Sequence, residues 1–208
     1  MLTVHHLGIS QSDRIVWLCE ELGIDYVLKR YDRDPVTRMA PAEYKALSPA
    51  GTAPVITDGD VVLGETNAIV DYIVARHGSG GLTVGPDQPN FADYLFWLHF
   101  ANGSFMPALL FAGMQQGSSE TARGLGQRVD RAYGLLETRL GKAPYLAGDA
   151  FTIADIMMLF PLTTMRLFFE RDISGFPNIR AYLKRVTDRE GFRRAMDKAD
   201  PGMPIKID

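Results

Sequence analysis

Residues 48–66, Ser-Pro-Ala-Gly-Thr-Ala-Pro-Val-Ile-Thr-Asp-Gly-Asp-Val-Val-Leu-Gly-Glu-Thr, constrain the fold more than any other stretch. Asp58-Gly59 between two short apolar runs predicts a tight β-hairpin. Pro54 has no amide to lend to a ladder, so it belongs at the first residue of a strand, on an edge or in a cis turn. Ile69, Tyr72 and Ile73 then recur at helical spacing, so the second strand runs directly into a helix. Glu65 and Thr66 stand at the start of that helix. Their carboxylate and hydroxyl sit beside unsatisfied backbone amides that favour an anion.

The chain before this unit supplies a second one. Leu2 to His6 reads as a strand, and Leu7-Gly8-Ile9-Ser10-Gln11-Ser12 as a turn ending in helix-capping residues. Ile15, Leu18, Cys19 and Leu22 form an amphipathic stripe closed by Gly23, and Tyr26 to Tyr31 forms another strand. A strand, a helix and a strand joined by short loops imply a right-handed crossover and parallel pairing. One short helix is expected over residues 42–47. Residues 1–78 therefore read as βαβ followed by ββα, an α/β domain.

Residues 79–89, rich in glycine and proline, read as a linker. Beyond it the period is helical throughout, in stripes at Phe91, Tyr94, Leu95 and Leu98; at Leu125, Val129, Ala132, Leu136 and Leu140; at Ile153, Ile156, Met157 and Phe160; and at Ile179, Tyr182, Leu183 and Val186. Residues 90–208 are expected to be all-helical, with Pro201 onward as a tail. Pro107 is expected to kink its helix. Phe151-Thr152-Ile153-Ala154-Asp155 reads as a capping box in which Thr152 and Asp155 satisfy each other's amides, a structural role rather than a catalytic one.

Composition narrows the function. A net charge of −3 gives no electrostatic case for nucleic acid or an anionic membrane. The single cysteine forbids an internal disulfide and a cysteine-rich metal site, which fits a reducing cytoplasm. No basic-then-apolar leader opens the chain, and no apolar run approaches the roughly 18 residues of a membrane span. His5-His6 reads as a structural pair without metal-ligand spacing. His77 and His99 stand singly, Glu20-Glu21 and the arginine-rich last helices read as solvated faces, and Gly78 to Gly85 lacks the lysine of a phosphate loop.

The hairpin, Pro54, Glu65-Thr66 and the Thr-Ile-Ala-Asp box together resemble the cytosolic glutathione S-transferase family, in its serine-type, bacterial and yeast-type subgroup. The resemblance runs from Leu2 to about Met196. It implies a thioredoxin-like N-terminal domain, an all-α C-terminal domain and a homodimer, working in cytoplasmic detoxification with glutathione as co-substrate and no metal.

By the resemblance Ala53, before Pro54, pairs its backbone with the cysteinyl part of glutathione, and Glu65 and Thr66 grip the γ-glutamyl end. The reaction implied is attack of the glutathione thiolate on an apolar electrophile. A hydroxyl donating to sulfur near a helix N-terminus favours the charged form. No tyrosine lies in residues 1–25 and Cys19 is mid-helix, so Ser10 and Ser12 are the candidates. Matching Arg14 to the arginine that opens the first helix in serine-type members puts Ser10 in the catalytic place and leaves Ser12 as the helix cap.

Where many relatives carry lysine or glutamine for the glycine carboxylate, this chain has Thr52, and Arg38 is the nearest basic substitute. Asn102 stands where an acidic residue is expected. The electrophile is expected between the domains, against Ile9, Phe105, Leu109 and Met114. The same fold also serves glutathione-dependent peroxidases and non-catalytic scaffold or regulatory modules.

Overall fold

A computed structural model describes residues 1–78, 80–114 and 119–208. Ser79, which opens the expected linker, lies outside the described residues. Contacts divide the chain into two compact units. One is Met1–Leu82 with Asp188–Pro204, and the other is Thr83–Thr187 with Ile205–Asp208. The segment Asp188–Pro204, which the sequence reading assigns to the helical half, thus belongs to the first unit.

The first unit is built on β1 (Leu2–Leu7), α1 (Asp13–Leu22), β2 (Val27–Tyr31), the single turn α2 (Ala42–Lys45), β3 (Val55–Asp58), β4 (Val61–Gly64) and α3 (Thr66–Arg76). Its four strands lie in the order β2-β1-β3-β4. β1 is parallel to β2 and antiparallel to β3, which pairs with β4 in the expected hairpin. Asp58 faces Val61, so Gly59 and Asp60 make the turn; Gly59 takes φ 59°, which a Cβ would resist. Asp58 also accepts hydrogen bonds from Tyr72 Oη at 3.1 Å and His77 Nε2 at 2.7 Å, tying the hairpin to α3. Val4, Ile15, Leu18, Ile56, Ile69 and Ile73 are fully buried and form the core between sheet and helices. Gly23 ends α1 in the left-handed conformation, as its glycine predicts.

The last helix of the chain, α9 (Glu190–Ala199), packs along α1. Here the expectation of two solvated charged faces is corrected, because the faces meet each other. Glu20 accepts hydrogen bonds from Lys198 Nζ, from Arg194 Nε at 3.0 Å and from Tyr26 Oη at 2.7 Å. Glu21 is gripped by Arg189 through two bonds of 2.9 and 2.8 Å and accepts the Trp17 indole N–H at 2.9 Å. Trp17 meets Phe192 edge-on at 5.2 Å. A Cβ at Gly191 would come within 2.7 Å of the Glu21 carboxyl, so any larger residue here obliges that side chain to shift.

Burial opposes ionisation of Glu20, but the hydrogen bonds from Lys198, Tyr26 and Arg194 outweigh it and hold the carboxyl below its ordinary range. A depressed carboxyl contributes stability above the unfolded-state value, and that contribution is lost as pH falls through the folded value. Glu20→Gln is therefore expected to cost about 1–2 kcal/mol at neutral pH, a deficit that closes in acid. Urea unfolding of both proteins at pH 7 and pH 4 checks it.

The second unit comprises α4 (Phe91–Phe100), α5 (Met106–Met114), α6 (Glu120–Leu140), α7 (Ile153–Leu162) and α8 (Pro177–Thr187). Trp97, Phe105, Tyr133, Leu136, Met157, Met158, Ile179, Tyr182 and Leu183 form its core. Leu95, expected on the inner stripe of α4, is exposed, while Trp97 takes the inner place. The irregularity attributed to Pro107 falls just before it. Ala101–Phe105 form a π-turn that joins α4 to α5, and the Met106 amide reaches back to the Ala101 carbonyl. Proline offers no amide and crowds the carbonyl four residues back, here that of Gly103, which a wider turn relieves.

The continuous helical stretch Phe91–Met114, 24 residues long, is long and apolar enough to cross a bilayer by length and composition. That corrects the expectation that no such stretch exists. Within this unit its Tyr94, Trp97, Leu98, Ala101, Phe105 and Leu109 face the core. The capping box forms as expected at the start of α7, closed in both directions, and Thr152 Oγ1 also accepts the Ala154 amide.

Candidate functional site

Ile9, Ser10 and Ser12 lie in the turn where β1 runs into α1. Ile9 sits in the turn at φ 52°, a conformation that a β-branched residue adopts only when its surroundings hold it there. They do so. The Ile9 amide donates to Asp200 Oδ1 at 3.0 Å. Arg33 holds the turn from the other side, through Nε to the Gly8 carbonyl at 2.7 Å and Nη2 to the Ile9 carbonyl at 3.2 Å.

Ser10 and Ser12 are both buried in this turn. Ser10 Oγ donates to the Leu7 carbonyl at 2.6 Å, accepts the Ser12 amide at 3.3 Å and lies 2.7 Å from Ser12 Oγ. Ser12 occupies the N-cap position of α1, but its side chain does not cap the helix. The expected capping role is thus corrected. Ser12 Oγ turns inward, accepts the Leu7 amide at 3.1 Å and lies 2.9 Å from His6 Nδ1. His6 Nε2 in turn meets Asp200 Oδ2 at 3.1 Å. His5, by contrast, is held structurally by Tyr31 Oη at 2.9 Å and Thr57 Oγ1 at 3.1 Å. Cys19 is fully buried, and burial first, then the Glu20 charge, push its thiol up to about 12, which leaves it inert.

Gln11 links this turn to the hairpin–helix motif. Its Oε1 accepts from Arg14 Nη2 and from Thr66 Oγ1, the latter at 3.4 Å. Arg14 is 1% exposed; burial lowers its guanidinium to about 10 against the nearby Asp13, so it stays cationic at neutral pH. Glu65 opens α3 with φ 67° and an exposed side chain that has no partner among the described residues. The positive φ of a residue with a Cβ marks a backbone held for its position rather than its comfort. Thr66, the first residue of α3, is buried at 3%.

The Ala53–Pro54 bond is cis. The Ala53 amide and carbonyl take no backbone partner among the described residues, which leaves them open to an extended peptide. Thr52 beside it is exposed. Arg38 is exposed at φ 61°, in a turn held by three hydrogen bonds onto Asp34 Oδ1; its carbonyl accepts from Arg33, and its guanidinium has no partner among the described residues. These interactions do not bring Arg38 or Thr52 to Gln11.

Of the residues expected at the electrophile, Ile9 is half-buried in the turn just described. Phe105 is fully enclosed in the second unit, stacked on Phe100 and edge-on to Tyr133 at 5.2 Å, and Leu109 is 7% exposed. Met114 is open at 69%. Among the described residues no three His, Cys, Asp or Glu side chains converge as a metal site.

Sequence reasoning missed His6 and Asp200. Ile9 and Asp200 are 191 residues apart, and neither polar side chain has a local partner pattern that would mark it.

A thioredoxin-like sheet with a cis-proline, a helix start and a serine turn on one unit, and a helical second unit, defines the class of the fold. The family patterns agree. "Glutathione S-transferase, N-terminal domain" matches residues 10–76, and "Glutathione S-transferase, C-terminal domain" matches residues 100–190. The chain is similar to glutathione S-transferase 3 of Schizosaccharomyces pombe, at 30% identity over 96% of this chain and 88% of the relative. It is also similar to glutathione S-transferase 1 of Saccharomyces cerevisiae, at 27% over 96% and 95%. A solved glutathione S-transferase from Actinobacillus pleuropneumoniae has a TM-score of 0.88 and 34% identity, covering 96% of this chain and 93% of that one. The chain belongs to the glutathione S-transferase family and is an enzyme of the glutathione transferase class.

Proposed function

We propose that the first unit binds glutathione and activates its thiol for attack on apolar electrophiles, with Ser10 as the hydroxyl that donates to sulfur. The observation that carries this reading is the Gln11 bridge. It joins the turn bearing Ser10 to Thr66 at the start of α3, two motifs 55 residues apart. Ala53 pairs its open backbone groups with the cysteinyl part of the tripeptide. The unpartnered Glu65 carboxylate takes the γ-glutamyl ammonium, and Thr66 with the α3 amides takes its carboxylate. Arg38 or Thr52 takes the glycine carboxylate.

The positive end of α1 and the buried Arg14 guanidinium both favour a thiolate here. Ser10 donates to the sulfur once the thiol has ionised. Ile9, half-buried in the turn beside Ser10, serves the electrophile from the first unit, and the family resemblance supports a cytoplasmic homodimer.

The test is the ultraviolet thiolate band of bound glutathione followed against pH. A free thiol ionises near pH 8.5, and the bound one is expected to do so about two units lower. Glutathione that binds with an unshifted thiol overturns the reading in favour of a binding module of this fold.

A further inference from the structure

We infer that His6, held by Asp200, receives the proton that leaves the glutathione thiol, passed through Ser10 and Ser12. This rests on the thiol activation proposed above and adds the destination of the proton. The four side chains form one unbroken series in the first unit: Ser10 Oγ to Ser12 Oγ at 2.7 Å, Ser12 Oγ to His6 Nδ1 at 2.9 Å, and His6 Nε2 to Asp200 Oδ2 at 3.1 Å. His6 and Ser12 are wholly buried, and Ser10 and Asp200 are exposed by only 5% and 6%. No member needs solvent to complete its bonding.

The direction of each hydrogen follows from the chemistry of the ends. An ionised carboxylate only accepts, so His6 carries its hydrogen on Nε2 and leaves Nδ1 as an acceptor. Burial raises the Asp200 carboxyl, but the hydrogen bonds from His6 and the Ile9 amide, with the charge of Arg30, outweigh it and keep the group ionised. Ser12 Oγ accepts the Leu7 amide and donates its one hydrogen to Nδ1. Ser10 then donates inward, either to Ser12 or to the Leu7 carbonyl. In this state Ser10 presents a lone pair, not a hydrogen, to an incoming thiol.

The transfer balances. The S–H bond breaks and its proton joins Ser10 Oγ, while the Ser10 hydrogen moves to Ser12 Oγ and the Ser12 hydrogen moves to His6 Nδ1. No electron is gained or lost overall. The products are a thiolate and an imidazolium beside the Asp200 carboxylate, and every hydroxyl in the series has reversed. Ser10 now donates to sulfur, which is the arrangement that holds a thiolate. Two cations stand near the relay and oppose a second positive charge: Arg30, in cross-strand register with His6, and Arg33, across the turn. Asp200 is the anion that offsets them. His6 and Asp200 are positioning residues that act through the serines, and Ser10 alone touches sulfur.

The test is nitrogen-15 NMR of the His6 ring at pH 7, with glutathione and with S-methylglutathione, alongside the thiolate band. Glutathione is expected to convert Nδ1 from an unprotonated to a protonated nitrogen, by about one proton per site, and S-methylglutathione is not. In Ser12→Ala the series is cut, so the ring stays neutral with glutathione bound; a merely structural His6 responds identically in both proteins. A thiolate band with a neutral His6 overturns the relay and leaves the transferase reading standing, as does an imidazolium already present without glutathione. Bound glutathione without a thiolate band overturns both.

Discussion

Ser10→Ala is expected to lower kcat on the order of 10²–10³-fold, the loss typical of removing one donor aimed at a developing anion, with little change in the KM for glutathione. The reasoning starts from the ground state. Ser10 Oγ bonds the Leu7 carbonyl and the Ser12 amide, and its side chain is 5% exposed, so the alanine variant loses one hydroxyl and about 1 kcal/mol of local bonding without disturbing the core. The groups proposed to grip the peptide, Ala53, Glu65 and Thr66, lie elsewhere in the unit. An interaction made to sulfur more strongly as thiolate than as thiol acts on kcat rather than on binding. Steady-state kinetics with a chromogenic aryl halide, together with the thiolate band, check this. A thiolate band retained in Ser10→Ala and lost in Ser12→Ala would assign the donor role to Ser12 instead.

The largest effect on stability is expected at Asp155. Its carboxylate, fully buried, accepts the Leu146 amide at 3.0 Å, Tyr182 Oη at 3.1 Å, the Thr152 amide at 2.9 Å and Thr152 Oγ1 at 3.3 Å. Asp155→Ala strands these donors in a dry core and removes half of the capping box. A loss of about 3–5 kcal/mol is expected, enough to threaten folding of a chain of ordinary stability. Urea unfolding of the two proteins measures it.

Asp155 also has a pH signature. Burial raises its carboxyl to about 6 from 3.8, although the bonds from Leu146, Thr152 and Tyr182 pull the other way. A folded value above the unfolded one means that the native state holds a proton the unfolded state has released. The contribution is full below pH 3.8 and is lost as pH rises through about 6. Its span is roughly 3 kcal/mol at most. Asp155→Asn should remove this slope between pH 4 and 6.

How much of this was legible in the sequence depends on distance along the chain. The hairpin at Asp58-Gly59, the left-handed end of α1 at Gly23 and the box at Thr152 and Asp155 are each set by residues within four positions of one another. Backbone sterics and local hydrogen bonds decide them before any tertiary contact forms. The same locality made Glu65 and Thr66 readable as a helix start, and Pro54 as a residue that cannot sit in a ladder. Pro107 was read as the cause of an irregular helix, but the π-turn at Ala101–Phe105 relieves the backbone upstream of it.

Only the tertiary structure decided the partners of polar groups. Periodicity places Glu20 and Glu21 on a helix face, yet a solvated face and a face clamped by Arg189, Arg194 and Lys198 have the same spacing. The choice is made by packing of a helix some 170 residues away. His6 likewise reads as one of two histidines on a strand, and Asp200 as an acid at the edge of a tail. They become a pair because Asp188–Pro204 return to the first unit and bring a carboxylate under the turn that carries Ser10 and Ser12. Local sequence determines which groups can donate and accept. Long-range burial determines which of them meet, because a polar group taken out of water must find its partner wherever the fold supplies one.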